Sequence, residues 1–174
     1  MTYACSTMPL AATESPSAGA PATIPMLFAP LNIALATAIA AERDLGHANV
    51  FDISIDHWLR EAEMSWDAVT DCLRDLRGAD AGRLEDAQLM AMADLVSDVM
   101  GCEEIGAFVD AQRAVRAARY RLRCPGLGPG ALQATQLLRQ CHAHLSAMIR
   151  MDVFTPAFDP DALPDGTQVW PEAC

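Results

Sequence analysis

The chain has 174 residues, with 12 arginines, no lysine and 23 carboxylates, a formal net charge of −11, and 52% apolar residues of which 32 are alanines. That length suits one domain of ordinary size, and the apolar content excludes disorder of the whole chain, as the composition excludes collagen-like, coiled-fibre and disulfide-scaffold classes. The missing amine also removes Schiff-base chemistry and a Walker-type phosphate loop.

Residues 1–26 open the chain with small, polar, proline-spotted sequence, expected to be mobile. Residues 27–41 then form an apolar run with small residues at 36, 38 and 40, which has something of a signal peptide's core. A signal peptide wants positive charge before that run, and the first basic residue is Arg43. Asn32 interrupts the run, and 15 residues fall short of a membrane span. Six cysteines without a CxxC pair read as reduced thiols, so a cytoplasmic protein without a membrane segment is the expectation.

The proline map places the folded body at 27–153. No proline occurs in 31–124, a stretch rich in residues that lose little on entering a helix. Pro30 suits the first turn of a first helix, whose face carries Leu31, Leu35, Ala38, Ile39 and Leu45 before Gly46 stops it. In the second helix, capped by Asp52 or Ser54, Ile55, Leu59, Ala62, Trp66, Val69, Leu73 and Leu76 follow at steps of four and three until Gly78. That spacing keeps one apolar stripe toward a partner for three heptads.

A third helix is expected from Leu84 to Met100 and a fourth from Cys102 to Arg123, where Cys124-Pro125-Gly126 ends it. A fifth runs from after Gly130 to about Met151. No stretch alternates with the period of a half-buried strand for more than a few residues, and the longest candidate, Asn49–Ile55, reads as a connector into the second helix. The expectation is therefore an all-α, up-and-down bundle of four to five helices with shallow, left-handed packing. Residues 154–174, with four prolines, four carboxylates and no base, read as an acidic tail that Phe154, Phe158 and Trp170 are able to dock.

Chemistry is less legible. The interval from Gln112 to Met151 holds seven arginines and no carboxylate, whereas residues 42–110 hold seventeen carboxylates and five arginines. Arg113, Arg116, Arg119 and Arg123 share about a third of the helical circumference beside the apolar stripe. The plain account is that their stems cover the core margin while their heads meet acidic neighbours on the second and third helices. The sharper account is a binding stripe for an acidic protein surface, phosphate or RNA. The net charge and the scarcity of interleaved aromatics argue against nucleic acid.

No glutamate has a histidine three residues on, so the ferritin-like di-iron pattern is missing. His57 and Glu61 are one turn apart, and Cys141 with His144, joined by Cys72 or Cys102, is the other candidate ligand set. The Gly126-x-Gly128-x-Gly130 run lies between two helices, where a turn rather than a dinucleotide fingerprint is expected. No catalytic set emerges, and no cofactor is implied. Trp58 and Met64 are the bulky residues that the heptad register leaves unexplained, and they mark a candidate protein contact. The expected function is binding of protein, another chain or a second copy, with a metal- or ligand-dependent bundle enzyme as the alternative and an RNA or phosphate binder as the weaker one.

Overall fold

The computed structural model describes residues 22–47 and 54–154. Of these, 82% are helical and none lies in a strand. Five helices make the all-α, up-and-down bundle: α1 (Ile24–His47), α2 (Ile55–Arg77), α3 (Leu84–Met100), α4 (Ile105–Ala118) and α5 (Pro129–Met148). Single 3₁₀ turns follow α4 (Arg119–Arg121) and α5 (Asp152–Phe154). The segment before residue 22, the tail after Phe154, Asp52 and the connector over 49–53 lie outside the described residues.

Helix α1 is the centre of the packing. It lies chiefly against α2, then against α5, and α3 packs on α5 and more lightly on α1. Phe28, Leu31, Leu35 and Ala38 on α1 are fully enclosed, together with Val69 and Leu76 of α2, Val96 of α3 and Leu145 of α5. The one polar residue on that face is Asn32. Its Nδ2 donates to the Leu137 carbonyl at 3.1 Å, across 105 positions of sequence, and so fixes α1 against α5.

Three helices differ from the sequence expectation at their ends, α5 by starting two residues early, at Pro129, and closing three residues early, at Met148. Helix α1 begins at Ile24, so Pro30 is its seventh residue and lies inside it, not in its first turn. Burial of Ile24, Pro25 and Phe28 against the core fixes those extra turns and outweighs the lost hydrogen bond. Helix α4 starts three residues later than expected, at Ile105, and gives way to a 3₁₀ turn at Arg119. The chain must leave the helix before Pro125, and the tighter turn makes that exit.

Capping accounts for α3, whose bounds agree with the sequence. The buried carboxylate of Asp86 takes Oδ2 hydrogen bonds from the backbone N–H groups of Gly82 and Arg83, at 3.2 and 2.9 Å. Between α4 and α5, Gly126 stands at φ +112°, a conformation that side chains with a Cβ rarely adopt. Gly126 and Gly128 thus stand in a turn between helices, and Gly130 falls in the first turn of α5.

Candidate protein-docking groove

The apolar stripe of α2 is covered unevenly: in its first half Ala62 is buried, but the bulky residues are not. Val69, Leu73 and Leu76 are enclosed, whereas Leu59 is 46% exposed and Trp66 half-buried. A straight helix drifts about 20° per heptad against a 3.5-residue repeat, so three heptads cannot all face one neighbour. Trp66 is tied down in another way: its Nε1–H donates to the Glu42 carboxylate at 3.2 Å, and its ring meets Phe154 edge to face at 5.1 Å. Phe154 therefore docks on the body as expected; Phe158 and Trp170 lie outside the described residues.

Where the stripe turns away, a groove of about 730 Å³ opens between α1 and α2. Pro30, Ile33, Ala34 and Thr37 line one side, and Met64, Ser65 and Ala68 the other, with His57, Arg60 and Glu61 at its rim. Ile33 is 68% and Met64 71% exposed. The two hydroxyls do not make the groove polar. Thr37 Oγ1 donates to the Ile33 carbonyl at 3.0 Å and Ser65 Oγ to the Glu61 carbonyl at 2.7 Å, each within its own helix.

Of the two residues that the sequence marks as a protein contact, Met64 lines this groove, as do His57 and Glu61 of the candidate ligand pair. Trp58 is half-buried on the same helix and does not line it. The sequence reading missed Ile33 and its neighbours because it asked only which face of the first helix is core. The available signal was that α1 has no charged residue before Glu42, so both of its faces are apolar. By length and composition α1 is able to cross a membrane, which the shorter 27–41 run is not. Its most apolar 18-residue window has a mean hydropathy of 1.8, with 44% of that window buried inside the bundle.

The arginines do not assemble as a stripe of paired charges. Arg113 bridges Asp110 on its own helix at 2.7 Å, and Arg119 bonds the Tyr120 hydroxyl and lies over that ring, 4.4 Å from its centroid. Arg116 and Arg123 make no ion pair among the described residues. The expected pairing with carboxylates of α2 and α3 is thus not what holds them. Arg123 instead borders a cleft of about 850 Å³ between α3 and α4, with Tyr120 and Arg121 on its side and Asp94 and Asp98 opposite.

The ligand set considered from sequence does not come together. Among the described residues no three His, Cys, Asp or Glu side chains converge on a point that holds a metal. His57 and Glu61 lie at the groove rim, while Cys141 is enclosed in the core, where burial pushes its thiol up to about 12. Burial also raises the thiols of Cys72, Cys102 and Cys124, and lowers the imidazole of His144. His142 Nε2 lies 3.0 Å from the Val115 carbonyl and so joins α5 to α4. Comparison with known proteins finds no family model, curated protein or solved structure that matches the chain.

Proposed function

We propose that the protein works by binding protein, and that the outward face of α1 and α2 is the surface it uses. The observation that carries this reading is the groove in which Ile33 and Met64 stand exposed above a floor stripped of free hydroxyls. A helix that is apolar all round is normally covered on every side, and α1 leaves one face, with Met26, Pro30, Ile33 and Thr37, exposed. Large apolar side chains clustered in this way mark contact surfaces far more often than solitary ones do. The rim supplies both signs of charge, which orients a partner without attracting polyanions.

Methionine oxidation in living host cells tests the reading. Met64 and Met26, 71% and 64% exposed, are expected to be protected in cells relative to the dilute purified chain, while the buried Met148 is unreactive in both. Equal oxidation of Met64 in the two settings overturns the proposal.

A further inference from the structure

On the reading that the α1–α2 face docks protein, we propose that its occupant is a second copy of this chain, paired about a two-fold axis. Two observations point to self-pairing. The first is register. Met26, Pro30, Ile33 and Thr37 on α1, and His57, Glu61, Met64 and Ala68 on α2, both follow steps of four, three and four. Two antiparallel helices that each carry such a seam on one face are half of a four-helix bundle, and a second identical pair completes it.

The second observation is charge. The groove rim carries Arg60 and Glu61 side by side. Antiparallel pairing of α2 with its copy, centred between these positions, sets Arg60 against the partner's Glu61 and Met64 against the partner's His57. An isologous interface requires this reciprocity: whatever residue i meets, its own copy meets in return. The net charge of −11 opposes association in general, but Asp56, Glu63, Asp67 and Asp71 of α2 stay outside the groove. A lipid surface fits less well, because interfacial helices carry lysine and arginine along their polar edge and this edge holds one arginine beside a glutamate.

Size sets the strength of the pair. In this register α2 overlaps its copy over residues 55–66, about 18 Å at 1.5 Å per residue, and two helices side by side are about 20 Å wide. The contact of about 360 Å² per partner is under half the roughly 800 Å² of a stable specific interface, so the dimer is a weak one that fills toward submillimolar concentration.

Sedimentation equilibrium of the full chain, from low micromolar to submillimolar, tests the pairing. The wild type is expected to form a dimer, and Ile33→Glu and Met64→Glu to weaken it at least tenfold with unchanged helical circular dichroism. Arg60→Glu and Glu61→Arg each place like charges at the contact and are expected to dimerise poorly alone. Mixed together they are expected to form a heterodimer, a rescue that a merely structural role does not produce. A chain that stays monomeric throughout, or a dimer indifferent to both glutamate substitutions, overturns self-pairing. If the monomer is found while Met64 remains protected in cells, docking stands with a different partner; if protection is also missing, both readings fall. Flotation with phosphatidylglycerol–phosphatidylcholine vesicles, lost on Ile33→Glu, overturns self-pairing in favour of a lipid surface.

Discussion

Helices α1 and α4 carry apolar stripes that look equally regular in the sequence, yet they hold very different shares of the fold. The first has 24 residues, lies at the centre of the bundle and encloses four side chains completely. The second has 14 residues and buries Phe108, Ala111 and Val115 against α3 and α5, while Ile105 and Val109 on the same helix stay 48% and 37% exposed. Periodicity tells which side of a helix seeks a partner. It does not tell how many partners the fold provides, and stability follows the second quantity.

The largest expected effect sharpens this difference at α1. Leu35→Ala empties a fully enclosed site contacted from more than one helix, and is expected to cost about 2–5 kcal/mol by urea denaturation. Less than 1 kcal/mol breaks the assignment of α1 as the centre. Native-state hydrogen exchange measures the other side of the comparison. The amides of α4 are expected to exchange through local opening at least about tenfold faster than those of α1 over 31–39, because few buried contacts hold α4 in place. Equal protection of the two helices removes the distinction.

A third experiment separates packing from polar pinning within α1. The buried Asn32 amide donates to Leu137, and its Oδ1 has no partner among the described residues. Asn32→Ala leaves the Leu137 carbonyl without that donor and is expected to cost about 1–3 kcal/mol. A neutral result means that α1 is fixed against α5 by apolar contact alone.

The sequence was most readable where local signals agree. Helix α3 is bounded by the Asp86 cap and Gly101, and both are local, so its limits coincide with the expectation. The start of α1 was not readable, since the reason for it is the burial of Ile24 and Phe28 against helices far along the chain. The arginines were misjudged in part for the same reason, since α2 is not a principal neighbour of α4. Helix α3 is, but Asp94 and Asp98 are separated from Arg121 and Arg123 by an open cleft and make no ion pair with them among the described residues. The groove was half legible. Met64 stood out as unexplained by the stripe, but the drift that opens the α1–α2 surface becomes visible only once the stripe is wound on a real helix.

Smaller effects are expected at the arginines. Arg116→Gln removes a charge with no ion-pair partner among the described residues, so it is expected to shift stability by less than about 0.5 kcal/mol. A loss above 1 kcal/mol restores the account in which α4 is held by charge.

His144 gives the smallest expected effect and the one with a defined sign. Its imidazole is half-buried on α5, and desolvation lowers its proton affinity below the ordinary value of 6.5. Below that pH the unfolded chain binds a proton at this position more readily than the folded one. Stability from this residue is therefore intact above about 6.5 and falls as the solution is acidified toward the lowered value. Carboxylates elsewhere add their own acid dependence, so the wild-type curve alone does not isolate the effect. The difference between wild type and His144→Gln does, because the variant lacks only this titration. Between pH 7 and pH 5 the wild type is expected to lose more stability than the variant in thermal or urea denaturation. Parallel curves mean that α5 opens enough at this turn to keep the imidazole hydrated, which places the loosely held part of the bundle on α5 as well as on α4.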